Sequence, residues 1–303
     1  MDNKNLAPIA LFVYKRPWHT SQAVEALQRN DLAAKSELII YSDGPKTESD
    51  KEKVQEVRRY VDSIAGFKRV TVVERGQNLG LAKSVTEGVT DIVNRYGRII
   101  VLEDDLLISP HFLDYMNTAL TLFEKNTRVL QISGHMFRVN FSEDVADAFF
   151  LPYTTTVGWG TWHRAWNLFD TGMNGISFLK QDKRFRKQFD MEGTYPYYEM
   201  LIDQQIGKIN SWGIQWYLSV FSNRGLVLHP KRSLVRHIGF DEEATHAKRN
   251  NDIYADTISN LFVNTYPEKI EVDTNAKEEY IRFFRKHQNP ITRLKSLMKY
   301  LLL

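Results

Sequence analysis

Four short, almost wholly apolar runs in the first third of the chain alternate with three longer amphipathic segments. The runs lie at residues 8–14, 37–41, 69–74 and 98–102, and the segments between them lie at 20–28, 46–61 and 82–94. Short apolar runs bounded by turn residues indicate buried strands, and apolar residues at helical spacing indicate amphipathic helices. This alternation predicts an α/β fold, in which helices cover both faces of a mostly parallel sheet.

Composition excludes several kinds of chemistry. The chain of 303 residues contains no cysteine, which removes thiol nucleophiles, thiolate metal sites and disulfide scaffolds. Its 40 Lys and Arg residues nearly balance 37 Asp and Glu residues, and a net charge of +3 does not predict nucleic acid as a partner. The reaction must therefore use carboxylate, imidazole, hydroxyl or amide groups.

The two termini bear on where the protein acts. The first residues lack the apolar core of a signal peptide, and no window reaches the length of a membrane span, so we expect a cytoplasmic protein. Residues 291–303 place apolar side chains on one helical face and basic side chains on the other. This tail is expected either to lie on the anionic inner face of the membrane or to dock on its own domain.

Polar residues follow each of the four predicted strands, at the edge where α/β sheets bind their ligands. The most informative group is Glu103, Asp104 and Asp105, because neighbouring carboxylates repel one another and need a compensating cation. A divalent cation held by one or two carboxylates, water and substrate phosphates would supply that charge. The alternative is that the three acids cap a helix that begins near Pro110.

The acidic segment at residues 100–116 resembles the Glu-Asp-Asp segment of the N-acetylglucosaminyltransferase I family. That family and its bacterial glycan-assembly relatives are nucleotide-sugar glycosyltransferases of the GT-A fold, with a Rossmann-like sheet. The likeness covers residues 8–116 and includes the order of the four strand ends. It implies that Asp105 binds Mn²⁺ or Mg²⁺, which bridges the diphosphate of a UDP-sugar. It also implies that Asp104 contacts the ribose and that Glu103 lies near the donor sugar.

The same resemblance gives roles to residues after the other strands. Arg16 would meet a phosphate or a uracil carbonyl, and Asp43 would accept a hydrogen bond from the uracil N–H. The residues expected at the glycine-containing loop and helix start beside the nucleotide are Asn78, Gly80 and Lys83. His246 lies in a stretch that matches a loop folding over the donor, where it would meet the metal or diphosphate; an ordinary surface histidine is the alternative.

The second half of the chain is rich in tryptophan, with five of the six tryptophans between residues 159 and 216. Trp159 stands between two glycines and is expected to stack on a sugar ring. In the family, the general base is an aspartate just before a tryptophan, but here Asn210 and Ser211 precede Trp212. Either Asp203 substitutes as the base, or the correspondence is shifted, or Asn210 marks reduced activity.

These observations predict one GT-A unit with a nucleotide half at 1–130, an acceptor half at 131–266 and a helical tail at 267–303. The predicted reaction transfers GlcNAc or another hexose from a UDP-sugar to a glycan or lipid-linked acceptor, with inversion. The setting would be bacterial surface polysaccharide or glycoconjugate assembly. The alternatives are a catalytically silent sugar-nucleotide-binding protein and a nucleotidyltransferase, although the glycine-rich signature of the latter is missing near the first strand.

Overall fold

The computed structural model describes residues 6–239 and 258–287. Its strands are β1 (Ile9–Val13), β2 (Glu37–Ser42), β3 (Arg69–Glu74), β4 (Arg98–Glu103), β5 (Leu106–Ile108), β6 (Val129–Ser133), β7 (Ala148–Leu151), β8 (Trp159–Trp162), β9 (Leu226–Pro230) and β10 (Val235–His237). Its helices are α1 (Pro17–Gln28), α2 (Lys51–Asp62), α3 (Leu81–Tyr96), α4 (Phe112–Leu122), α5 (His163–Trp166), α6 (Ile176–Gln181), α7 (Lys183–Phe189), α8 (Tyr197–Gln205), α9 (Trp212–Ser222) and α10 (Thr274–His287).

Eight strands form one sheet in the order β3-β2-β1-β4-β8-β6-β9-β7, and β5 pairs with β10 in a separate two-stranded ribbon. The strands β1 to β4 are parallel, as their alternation with helices predicts. β1 and β4 are almost wholly buried, because helices cover both faces of this part of the sheet. The predicted α/β class, with a parallel, Rossmann-like arrangement of the first four strands, is confirmed.

The register of the central strands brings many chain segments to one edge of the sheet. β8 runs antiparallel to β4 and pairs Trp159 with Val101, so β8 begins beside the carboxyl end of β4. β6 runs antiparallel to β8 and pairs Ser133 with Trp159, so β6 ends at this same edge. We call this the carboxyl edge, and it gathers the loops after β1, β2, β3, β4, β6 and β9.

The predicted acceptor half contains a second hydrophobic core, rich in aromatic rings, to which α10 contributes. Tyr280 of α10 stacks on Tyr153 at 5.7 Å between ring centroids, and Phe137 lies 4.9 Å from Phe284. The first part of the predicted tail is therefore packed against its own domain. Residues 288–303, including the apolar face expected to touch a membrane, lie outside the described residues. Across the described residues, no helix is long and apolar enough to cross a bilayer.

Candidate active site

Asp105 lies in the turn after β4, where the carboxyl edge passes into the β5–β10 ribbon. Its side chain is buried, and one carboxylate oxygen, Oδ2, lies 2.8 Å from Nη1 of Arg16 and 3.4 Å from Nε2 of His237. The other oxygen, Oδ1, is buried and has no hydrogen-bond partner among residues 6–239 and 258–287. A buried carboxylate oxygen without a partner is costly, so this atom needs a cation or a donor from a ligand.

The β5–β10 ribbon holds residues 235–239 over Asp105. β10 pairs His237 with Leu106, and the Ile238 N–H donates to the Asp105 carbonyl oxygen at 2.9 Å. The Gly239 N–H donates to Nδ1 of His237 at 3.1 Å, so the His237 proton belongs on Nε2, which faces Asp105. A Cβ added to Gly239 would collide with the Asp105 carboxylate and the Arg16 guanidinium. Any larger residue at this position would force Asp105 or Arg16 to move.

The two acids before Asp105, Glu103 and Asp104, both have raised pKa values. Burial, together with the neighbouring charges of Asp105 and Asp104, raises the pKa of Glu103 to about 8. Burial and the charge of Asp105 raise the pKa of Asp104 to about 7, although Arg16 opposes this shift. Oδ2 of Asp104 also accepts a hydrogen bond from the Tyr14 N–H at 3.3 Å, which ties the ends of β4 and β1 together. A bound cation would favour the charged form of both acids.

Asp43 organises the loop that follows β3. Its buried carboxylate accepts hydrogen bonds from the N–H groups of Gly44 at 3.0 Å, Leu79 at 2.9 Å and Gly80 at 3.0 Å. Asn78 adds a bond from its side-chain amide to the Gly44 carbonyl oxygen at 2.9 Å. Asp43 therefore holds the loop after β2 and the loop after β3 together. Its predicted contact with uracil stays a prediction.

Gly80 has the backbone conformation that its predicted position needs. Its φ of +75° lies in the region that favours glycine, and it directly precedes α3. The positive end of the α3 dipole therefore faces the carboxyl edge. Lys83 is exposed on the first turn of α3 and lies 3.7 Å from Glu87, so the structure does not bring it to Asp105 by any described contact.

Trp159 corrects the expectation that it stacks on a sugar. Its side chain is fully buried, with ring centroids 5.3 Å from Trp212, 5.9 Å from Trp166 and 6.2 Å from Trp216. A Cβ on Gly160 would lie 2.8 Å from the Ile99 carbonyl oxygen. This flanking glycine thus makes room for the neighbouring strand rather than for a ligand, and Trp159 is a core residue.

The residues predicted as the general base do not contact the buried acids in any described interaction. Asp203 on α8 forms an ion pair with Lys208, at 3.0 and 3.1 Å from the two carboxylate oxygens. Asn210 is exposed, and Ser211 caps α9 by accepting a hydrogen bond from the Ile214 N–H at 3.4 Å. The cap explains why serine precedes Trp212. His246 lies outside the described residues.

His237 and Gly239 are the site residues whose contacts sequence reasoning missed. The stretch that begins at His237 matches a loop over the donor, but the sequence gives no sign that this stretch lies on Asp105. Within residues 6–239 and 258–287, no group of three or more His, Asp or Glu side chains is arranged to hold a metal ion. Among these residues, a metal at this edge would therefore have at most two such ligands.

No protein-family model and no curated protein sequence matches the chain. The chain is similar to the solved structure of the mannosyltransferase PcManGT from Pyrobaculum calidifontis in complex with GDP-Man and Mn²⁺, with 15% identity over 55% of this chain and 47% of that one, and a TM-score of 0.37. It is also similar to S. aureus TarS, with 11% identity over 75% of this chain and 36% of that one, and a TM-score of 0.41. The chain spans less than half the length of either protein.

Proposed function

We propose that this protein is a nucleotide-sugar glycosyltransferase. The observation that carries the proposal is the buried carboxylate of Asp105 at the carboxyl edge. One of its oxygens is held by Arg16, and the other has no partner within the described part of the chain. More particularly, the donor is a UDP-sugar, and GlcNAc or another hexose is transferred with inversion. The acceptor is a glycan or lipid-linked glycan of bacterial surface assembly.

The residues present fit a divalent cation. Asp105 Oδ1 is a hard oxygen ligand to which no described residue donates a hydrogen bond, and Arg16 and His237 hold Oδ2 in place. Since the described residues offer no cage of three ligands, water and phosphate oxygens would complete the coordination of Mn²⁺ or Mg²⁺. When bound, such an ion supplies positive charge for the diphosphate that leaves.

The surrounding residues have separate tasks in this proposal. Arg16 and His237 orient Asp105. Asp104, beside Asp105, would contact the ribose of the nucleotide. Asp43 shapes the loop at 78–80 and α3 directs its positive end toward the nucleotide. Glu103, at the end of β4, would lie near the donor sugar. His246 would contact the diphosphate or the metal.

Transfer with inversion also requires a base that accepts the proton of the attacking hydroxyl. We assign this proton to the carboxylate of Asp203, which is partly exposed and would have to leave Lys208 to accept it. Displacement at the anomeric carbon then forms the new glycosidic bond as the bond to the diphosphate breaks.

Donor binding tests the first step of the proposal. We expect the protein to bind one member of a panel of UDP-sugars in the presence of Mn²⁺. EDTA or Asp105→Asn should weaken that binding by about a hundredfold, because the cation loses its protein ligand. Glu52→Gln, an equal loss of charge on the exposed face of α2, is the matched control and should bind normally. Failure of every donor to bind, or binding unaffected by both EDTA and Asp105→Asn, would contradict the proposal.

A second candidate is a catalytically silent sugar-nucleotide-binding protein. The observation that favours it is the state of the base candidates, since Asp203 is paired with Lys208 and Asn210 is an exposed amide. Product formation separates the two functions. If Asp203 is the base, Asp203→Asn should lower transfer by about 100-fold or more without changing donor binding. Donor binding with no product in the unaltered protein would support the silent candidate.

A further inference from the structure

A cavity in the acceptor half lies between the loop after β6 and the last turns of α10. Its volume is about 420 Å³. The charged and aromatic residues that line it are Arg138, Glu279, Arg282, Phe283, Lys286 and His287. The cavity is therefore lined by three permanent cations, one acid, a histidine and one phenyl ring.

The cations of this cavity outnumber its one carboxylate, Glu279. Glu279 accepts hydrogen bonds from the Ser142 N–H, at 3.1 Å and 3.3 Å from its two oxygens. Among residues 6–239 and 258–287, no carboxylate forms an ion pair with Arg138, Arg282 or Lys286. Three like charges around one concave space repel one another, and an anion that enters the space would relieve this repulsion.

The aromatic core fixes the two walls of the cavity relative to each other. Phe137, which precedes Arg138, lies 5.9 Å from Tyr280 and 4.9 Å from Phe284 between ring centroids. Arg282 and Lys286 are one helical turn apart on α10, so both face the same side. The cations are thus carried by a packed loop and a packed helix, while their own side chains reach solvent.

The loop that carries Arg138 leaves the sheet at the carboxyl edge. β6 ends at this edge two strands away from β4, so the ends of the two strands are roughly 10 Å apart. Arg138 lies five residues after the end of β6. The diphosphate of a donor is assigned to Asp105 in the nucleotide half, so a second anion in the acceptor half belongs to a different molecule.

We propose that this cavity binds an anionic group, phosphate or carboxylate, of the acceptor glycan. The proposal rests on the proposed transferase function. Arginine forks suit both phosphate and carboxylate oxygens, and the half-buried ring of Phe283 offers an apolar face for a sugar ring beside them. A concave site with an aromatic wall fits a charged sugar better than it fits a flat lipid surface.

Binding of small charged sugars to the full chain tests this site directly. Glucose 6-phosphate and glucuronic acid present the two anionic groups, and glucose serves as the uncharged reference, all measured by calorimetry or by nuclear magnetic resonance titration. We expect at least one charged sugar to bind more tightly than glucose. The double variant Arg138→Gln, Arg282→Gln should weaken that binding by about tenfold or more. Whichever charged sugar binds identifies the anionic group.

Arg285→Gln provides the matched control, because Arg285 lies on the same helix but does not line the cavity. It should leave binding of the charged sugar unchanged, and UDP with Mn²⁺ should bind equally well to all variants. Equal weakening by Arg285→Gln, or no preference for a charged sugar, would overturn the proposal. Loss of binding to phosphatidylglycerol vesicles without loss of sugar binding in the double variant would also overturn it and assign the surface to a membrane. If only UDP fails to bind, the proposed transferase function is contradicted, while the binding of charged sugars still tests the cavity.

Discussion

The nucleotide half and the acceptor half bury polar groups in different ways. In the nucleotide half, Asp43, Asp104 and Asp105 are all buried at the ends of parallel strands. In the acceptor half, the predicted catalytic residues Asp203 and Asn210 are partly or fully exposed, and the buried carboxylate of Asp190 accepts a hydrogen bond from the Tyr198 N–H at 2.7 Å. A buried carboxylate costs free energy unless something binds it, whereas an exposed one costs little. The comparison therefore supports the proposed ligand site in the first half more strongly than the proposed base in the second.

The tryptophan cluster offers the strongest test of this difference. Trp159→Ala should lower the free energy of unfolding by about 3–5 kcal/mol, because a fully buried indole leaves a cavity. Chemical denaturation would measure it. Trp18→Ala is the matched control, since Trp18 is 61% exposed, and its effect should be about 0.5 kcal/mol or less. If the Trp159→Ala variant is as stable as the unaltered protein but has lost sugar transfer, Trp159 acts in the active site and not in the core.

Removal of the Asp43 carboxylate tests whether the nucleotide half depends on its loop anchor. Asp43→Ala leaves the N–H groups of Leu79 and Gly80 without their acceptor, so we expect a loss of about 2 kcal/mol in unfolding free energy. Donor binding should weaken as well, because the loop before α3 loses its shape. Glu52→Ala on α2 is the control. Unchanged stability with lost donor binding would mean that Asp43 acts only through the nucleotide.

The third prediction concerns the cover over Asp105. Gly239→Ala should weaken Mn²⁺-dependent donor binding by about tenfold, because the new methyl group would push the Asp105 carboxylate and Arg16 apart. The control is Gly76→Ala in the loop after β3, because a Cβ added to Gly76 would meet no atom within 4 Å. Equal donor binding by both variants in calorimetry would show that residues 235–239 do not influence the site.

The smallest expected effect comes from the acceptor half. Asn210→Asp should change the free energy of unfolding by about 0.5 kcal/mol or less, because residue 210 is exposed. Its effect on transfer separates the explanations for the missing aspartate. A large gain would mean that the base had been lost at this position, and a loss of transfer would mean that Asn210 itself has a role.

The secondary structure of the nucleotide half was predictable because each strand is a short apolar run between turn residues. The strand predicted at 69–74 is β3 without any change of bounds. The helix predicted at 20–28 begins earlier, at Pro17, since proline suits the first turn of a helix. The strand predicted at 98–102 continues to Glu103, and Asp104 and Asp105 lie in the turn that follows it.

Long-range contacts explain what the sequence could not indicate. His237 and Gly239 reach Asp105 through the pairing of β5 with β10, whose strands are more than a hundred residues apart in the chain. The glycines around Trp159 predicted an open backbone, but the packing of β8 between β4 and β6 fills that space. Local pattern does not show which distant strand becomes a neighbour.

The sequence alone determined the α/β class, the parallel strands and the position of the acidic group at the end of the fourth one. These follow from apolar periodicity and from turn residues, which act over a few neighbouring positions. The tertiary structure alone decided which oxygen of Asp105 has a partner, which tryptophans are buried and where basic side chains gather beside α10. These depend on packing between distant segments, because burial and charge proximity are properties of the folded chain.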